Sequence, residues 1–387
     1  MQKIRPKVIM VTNKYFPTIG GISTYIESLV TGLEKENFKT ELICFPIKFD
    51  KWEAKISNKR ARKLIHYIFT LFFISFAEWK IFKSRLTNRN LIVHSHSANY
   101  CLFIGLISRT FGCKTLHTYH SPIERSYKHL EYLSPKVGAI IFVSKETQML
   151  YQSMSNIDNN IIEIIPGVID QNKFHPRTND EINKMKKKLI DLIGKKHLED
   201  HIILFVGRVI EEKGIMPLIK SINIVKYDVP DVLLIIIGPH SYGEKEKKYF
   251  ENLVSYIKKN KLNDNIVFSG PTSEDILMKS YAISTMLLVP SIWEEPSGIV
   301  PIEAMATGKP VIATRVGGLK YRIIDGKTGF LVEKNNPKEL AEKIVKLLKN
   351  EKLLKKMGAN ARVHVEKNYN LEIMIKKHKK LYGTIIK

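Results

Sequence analysis

Short, almost wholly apolar runs recur along the chain, each closed by a glycine, a proline or a polar residue. They include KVIMVT at 7–12, LIVHSH at 91–96, VGAIIFVS at 137–144, HIILFVG at 201–207, VLLIIIG at 232–238, IVFSG at 266–270 and MLLVP at 286–290. A strand without polar alternation is buried on both faces, the pattern of a parallel sheet covered by helices. Helical stretches separate the runs. This alternation, in both halves of the sequence, predicts an α/β chain of two doubly wound domains. The 387 residues suffice for two domains of ordinary size, and 44% apolar content supplies two cores.

Charge and cysteine narrow the setting. Lys and Arg number 62 against 38 Asp and Glu, a net charge of +24, which calls for an anionic partner. Nucleic acid, an anionic membrane face and a phosphorylated substrate all qualify. No helix-turn-helix or zinc-finger pattern supports nucleic acid, which is set aside. Three scattered cysteines, Cys44, Cys101 and Cys113, suit a reducing cytosol. The first strand follows Met-Gln-Lys-Ile-Arg-Pro directly, so no signal peptide is expected.

Residues 48–89 stand apart. Cations flank the segment (Lys55, Lys59, Arg60, Arg62 and Lys63, then Lys80, Lys83, Arg85 and Arg89), and 64–77 between them is nearly all apolar and aromatic. That run is short for a membrane span. Two readings stay open: a buried core helix with solvated ends, or an interfacial helix against an anionic bilayer.

Candidate chemistry concentrates in 295–318, EPSGIVPIEAMATGKPVIATRVGG. Ser297 and Gly298 suit a helix start, Pro301 is tolerated in a first turn, and Gly308 suits the helix end. Ile302, Met305 and Ala306 make an apolar stripe, and 310–313 reads as a buried strand. Glu295 falls just before the helix and Glu303 inside it. Backbone amides at such a helix start favour a phosphate, and carboxylates around a phosphate bind hydroxyls rather than a second anion. A ligand with phosphates in the middle and a polyol at each end fits, namely a nucleoside-diphosphate sugar. Upstream, Arg208 and Lys213 sit where a strand of the second domain gives way to a helix, the place where open parallel sheets bind ligands.

The string E-P-S-G-I-V-P-I-E-A-M-A-x-G-x-P-V-I-A, together with G-R-V-x-x-E-K-G at 207–214, resembles the donor site of the retaining glycosyltransferases of family four. The resemblance covers nearly the whole chain, more specifically after residue 200. It implies the GT-B fold: two Rossmann-like domains facing across a cleft. Residues 1–175 would bind the acceptor, 176–367 the nucleotide sugar, and the final helix (about 368–387) would return to the first domain. Arg208 and Lys213 would hold the donor diphosphate, Ile299 and Gly298 would offer amides, Glu303 would bind ribose and Glu295 the transferred hexose. Gly20 and Gly21 would face the diphosphate, and His120, in the match T-x-H, would lie beside the reacting sugar. One departure is Pro166-Gly167-Val168-Ile169-Asp170, where members usually carry Pro-Asn-Gly-Val-Asp.

No metal or prosthetic group is expected, because Arg and Lys supply the positive charge. The histidines His94, His96, His117 and His120 suggest zinc, but no cysteine or carboxylate completes a ligand set. The expected partners are a nucleoside-diphosphate sugar, a lipid-linked or saccharide acceptor and an anionic membrane surface at 48–89, with the protein in the cytoplasm, held peripherally on the inner membrane face. The resembled transfer needs no protein nucleophile, since the donor phosphate takes the acceptor proton. Alternatives on the same fold are a sugar-nucleotide epimerase, a phosphorylase, a soluble small-molecule glycosyltransferase and an idle coat protein. A glycosidase would need two carboxyls flanking one glycosidic bond, and none are evident.

Overall fold

The structure, a computed structural model, describes residues 6–13, 15, 21–45, 58–96, 99–120, 136–153, 161–193, 201–240, 243–295 and 298–386. The chain divides into two compact units, Met1–Val168 with Leu371–Lys387, and Ile169–Asn370.

The first unit is a parallel six-stranded sheet, β1 (Lys7–Thr12), β2 (Lys39–Cys44), β3 (Leu91–His96), β4 (Lys114–Tyr119), β5 (Ala139–Phe142) and β6 (Ile161–Ile164), in the order β2-β1-β3-β4-β5-β6. Its helices are α1 (Gly21–Lys35), α2 (Lys59–Thr87), α3 (Asn99–Thr110) and α4 (Lys145–Gln152). The second unit opens with α5 (Asn179–Ile193) and runs through β7 (His201–Val206), α6 (Ile215–Val225), β8 (Val232–Ile237), α7 (Glu244–Lys259), β9 (Ile266–Gly270), α8 (Glu274–Ile283) and β10 (Met286–Val289). It continues through α9 (Val300–Ala306), β11 (Val311–Thr314), α10 (Leu319–Arg322), β12 (Gly329–Val332), α11 (Pro337–Leu348) and α12 (Glu351–Asn368). Its parallel sheet is ordered β12-β11-β10-β7-β8-β9. The last helix, α13 (Leu371–Ile386), belongs to the first unit.

Strand periodicity divides each core into two layers. In the first sheet Val8, Met10 and Ile92 meet Leu29 and Leu33 of α1 and Met374, Ile375 and Leu381 of α13. Ile9, Val11, Leu91 and Val93 face the other way, onto Phe73, Ala77 and Ile81 of α2 and Ile104 of α3. In the second unit Ile203 and Leu234 back onto α6 and α11, while Leu204 and Ile235 back onto α9 and α12. Both sheets are doubly wound. Their strand order reverses between β1 and β3 in one and between β7 and β10 in the other. A crevice at the carboxyl ends of the strands forms at each reversal.

The helix at 59–87 corrects the core-helix reading. Asn58 caps it, its side chain accepting from the amides of Arg60 and Ala61. It runs 29 residues, so Arg60–Thr87 is long and apolar enough to cross a membrane by length and composition. Only one stripe of it reaches the sheet, and Leu64, Tyr67, Leu71, Phe72, Phe76 and Trp79 are exposed. The physical reason is geometric: a helix against one face of a sheet covers about a third of its circumference, and this one is apolar nearly all round. Residues 48–57 of the segment lie outside the described residues.

Candidate active site

In the second unit the reversal point brings together the loops after β7 and β10. Gly207 donates its amide to Ile237 O and Val209 to Pro239 O, both at 2.9 Å, so the backbone around Arg208 is fixed while its side chain is exposed. The chain then turns through Glu211–Lys213, and Ile292 of the β10 loop donates to Glu212 O at 2.9 Å. Lys213 reaches Glu295, Nζ to Oε2 2.5 Å, with both side chains largely buried. Ser291 Oγ and Trp293 Nε1 donate to the same oxygen, each at 3.3 Å. Among the described residues nothing reaches Oε1. The sequence expectation gave Lys213 and Glu295 to different parts of one ligand; here they form an ion pair.

The glycines at 317–318 serve this loop. Gly317 donates its amide to Glu294 Oε2, and Gly318 donates to Glu295 O at 2.6 Å. Gly317 has φ 46°, and a Cβ there would stand 2.3 Å from Glu295 O. Thr314 Oγ1 adds a bond to Ser291 O at 2.6 Å. Gly317→Ala therefore combines left-handed strain with a backbone clash, and is expected to lower stability by about 2 kcal/mol or more. Thermal denaturation measures this; an unchanged melting temperature would refute the clamp.

α9 begins at Val300 with Ile299 as N-cap and no side-chain cap, later than the Ser297–Gly298 start expected from sequence. Gly298 lies just ahead at φ 64°, and Ser297 is outside the described residues. Ile302, Met305 and Ala306 are buried as expected. Glu303 accepts a 2.7 Å hydrogen bond from the Tyr281 hydroxyl of α8. Burial pushes its carboxyl up to about 7, opposed by the tyrosine's donation. Nothing in the sequence singles out Tyr281 or Glu294.

In the first unit Gly20 and the residues 121–122 after His120 are outside the described residues. Gly21 is the first residue of α1, and a Cβ on it would meet no described atom within 4 Å. Three of the four histidines gather on one face of the sheet and His117 does not join them. His94 and His96, two apart on β3, stack at 4.1 Å, and His96 Nδ1 lies 3.1 Å from His120 Nε2. His94 shares hydrogen bonds with Thr118 Oγ1 (2.7 Å) and the Tyr382 hydroxyl (2.9 Å). His117 points to the opposite face, 2.8 Å from Ser95 Oγ, because neighbouring strand residues alternate sides. Among the described residues no group of three or more His, Cys, Asp or Glu is arranged to hold a metal ion. The Tyr25 ring meets His120 edge-on at 4.8 Å, and its hydroxyl lies 3.3 Å from His378 Nε2 of α13. Burial keeps His117 and His120 neutral, with pKa values near 3, and His378 near 4.

The family described as Glycosyl transferases group 1 matches residues 186–364, and Glycosyltransferase Family 4 matches 19–173. An uncharacterized glycosyltransferase of Methanocaldococcus jannaschii is 28% identical over 391 residues, 97% of this chain and 98% of that protein. A Corynebacterium glutamicum protein named GDP-mannose-dependent monoacylated alpha-(1-6)-phosphatidylinositol monomannoside mannosyltransferase is 24% identical over 385 residues, 95% of each chain. Anabaena HepE, solved in complex with UDP, shares the fold at TM-score 0.76 with 16% identity, covering 98% of this chain and all of that one.

Proposed function

Because the chain belongs to the glycosyl transferases group 1, within family four, we propose that it moves a hexosyl group, with retention, from a nucleoside-diphosphate sugar to an acceptor hydroxyl. The observation that carries this reading is the Lys213–Glu295 pair at the reversal point of the second sheet. It offers an ammonium for a phosphate oxygen and a carboxylate oxygen for a sugar hydroxyl, side by side. The Corynebacterium relative is named for a GDP-mannose donor, and the Anabaena structure contains UDP.

Transfer requires heterolysis of the anomeric C–O bond. Negative charge grows on the departing diphosphate while the ring becomes oxocarbenium-like. Arg208 and Lys213 meet that charge where it develops, the dominant form of catalytic help in a dry site. In this reading they take the part of a metal ion, the amides of Gly298 and Ile299 assist, and the β-phosphate oxygen accepts the acceptor's proton. Glu295 Oε1 holds a hexose hydroxyl, Glu303 holds ribose hydroxyls, and His120, neutral and able to donate or accept, offers a hydrogen bond to a sugar hydroxyl. The acceptor is a lipid-linked or saccharide hydroxyl, in glycolipid or cell-surface polysaccharide synthesis on the cytoplasmic side of the membrane. The Corynebacterium relative, named for a phosphatidylinositol-borne acceptor, supports the lipid alternative. Release of nucleoside diphosphate across a panel of donors, with and without crude lipid extract, tests the reading; no turnover with any donor would sink it.

Glu303 gives the donor affinity a pH signature. Ribose hydroxyls donate to the charged carboxylate, whose pKa in the free protein lies near 7. Binding of a nucleotide sugar, whose own diphosphate does not titrate nearby, should be roughly tenfold weaker at pH 6 than at pH 8. Tyr281→Phe removes a donor to the carboxylate and should move this transition to higher pH, while Glu303→Gln should abolish it. Calorimetry at several pH values checks all three. A flat profile for the unmodified protein would remove Glu303 from the ribose site.

A further inference from the structure

α2 carries an apolar face that nothing among the described residues covers. Leu64, Ile68, Phe72, Phe76, Trp79 and Leu86 follow one another three, four or seven positions apart. They form one stripe about 33 Å long. Their exposure runs from 41% at Ile68 to 72% at Phe72 and Leu86, where core residues of this protein sit below 10%. A patch of that length on a protein surface marks an interaction.

Charge identifies the partner. α2 contains seven Lys or Arg and a single acid, Glu78, whose two carboxylate oxygens are both buried. Its exposed side therefore presents cations alone. The ammonium groups of Lys80 and Lys83 lie 5.6 and 5.4 Å from the ring centroids of Phe76 and Trp79. Tyrosine, tryptophan and lysine beside aliphatic side chains are the composition of a membrane–water boundary. A second copy of the chain would bring the same cations, and another net charge of +24, against them. The opposite stripe, Phe73, Ala77 and Ile81, is buried in the first unit, and Lys80 Nζ is 3.1 Å from Glu41 Oε1 on β2. A helix sealed to a sheet along one side cannot be surrounded by lipid.

We propose that α2 lies flat in the boundary layer of one leaflet of an anionic bilayer, its 64–86 stripe inserted among the acyl chains and its cations among the headgroups. The more apolar half of the helix sits toward the carboxyl ends of the strands: His66 is 6.2 Å, ring to ring, from Phe45, the residue after β2. The same edge carries His96 and His120. A lipid-borne acceptor would reach that edge without leaving the surface. This consequence rests on the proposed glycosyl transfer, whereas the docking itself does not, and vesicle binding without any donor tests it separately.

The experiment is sedimentation of the full chain with phosphatidylcholine vesicles, with or without phosphatidylglycerol, at low and high salt. Expected are pelleting with the anionic vesicles at low salt, at least about tenfold tighter than with neutral ones, and release by high salt or an alkaline wash. Phe72→Ser with Trp79→Ser, at exposed positions that leave the fold intact, should weaken binding about tenfold or more. Arg60→Glu with Lys63→Glu and Lys83→Glu should lose the preference for anionic lipid. No pelleting at low salt, undiminished binding by both variants, or retention after the alkaline wash (a span) would each overturn the proposal. So would a dimer in solution that Phe72→Ser with Trp79→Ser dissociates.

Discussion

Arg208→Ala is expected to lower kcat about a hundredfold with the fold intact. Removing one donor that meets developing charge in a water-poor site costs roughly 3 kcal/mol of barrier. The side chain is exposed and makes no hydrogen bond or ion pair among the described residues, so nothing in the resting protein depends on it. Its backbone neighbours are anchored by the bonds from Gly207 and Val209, and Val209 is fully buried. The loss should therefore appear in kcat, with the melting temperature unmoved. Lys213→Ala should differ, because it also strips Glu295 of its counter-charge. An unpaired carboxylate in a largely buried place destabilises the loop, so both rate and melting temperature should fall. Adding Glu295→Gln should recover the melting temperature but not the rate. Steady-state kinetics and thermal scans on the three variants decide this. An Arg208→Ala enzyme with unchanged kcat would remove the arginine from the reaction.

Acid should unfold the first unit well before the second. His117 and His120 titrate near 3 and His378 near 4 in the folded protein, chiefly through burial, and burial holds His94 and His96 well below their ordinary range too. In the unfolded chain each returns to about 6.5. The folded pKa is the lower one, so the unfolded state binds more protons between the two values. The contribution of each histidine is complete above about pH 6.5 and drains away as pH falls toward its folded pKa. Each loses about 1.4 kcal/mol per pH unit, so His117, His120 and His378 together lose about 4 kcal/mol per unit. Over the roughly 2.5 units from pH 6.5 to 4 that is about 10 kcal/mol, so a domain stable by about 5–10 kcal/mol would be exhausted between roughly pH 5 and 4. In the second unit His175, His201 and His364 are half-buried and His240 is exposed; burial lowers His364 as well, but it stands as a single group, and no comparable cluster among the described residues drives that unit. Calorimetry from pH 7.5 to 4.5 should show one transition moving sharply down and separating from the other, with proteolysis at pH 5 cutting within 1–168. Transitions that move together, or not at all, would contradict a neutral buried cluster.

Local sequence was enough for much of this protein. Unbroken apolar runs such as HIILFV and VLLIII can satisfy their backbones and bury both faces only as interior parallel strands, so the two doubly wound units follow from periodicity. The placement of 295–318 and of Arg208 and Lys213 was legible for the same reason: each motif lies at a strand end whose position the periodicity sets. Tertiary structure alone decided the pairings. Lys213 meets Glu295 across 82 residues, Tyr281 meets Glu303 across 22, and His94 meets Tyr382 across 288. Such distances depend on strand order and on how loops close over the sheet, and no short-range pattern encodes either. The same holds for α2. Hydrophobicity along a helix records which side chains avoid water, but which stripe a sheet covers and which stays open is set by what packs beside it. Phe73 and Phe72 are neighbours of one kind in the sequence; one is buried in the sheet and the other is 72% exposed.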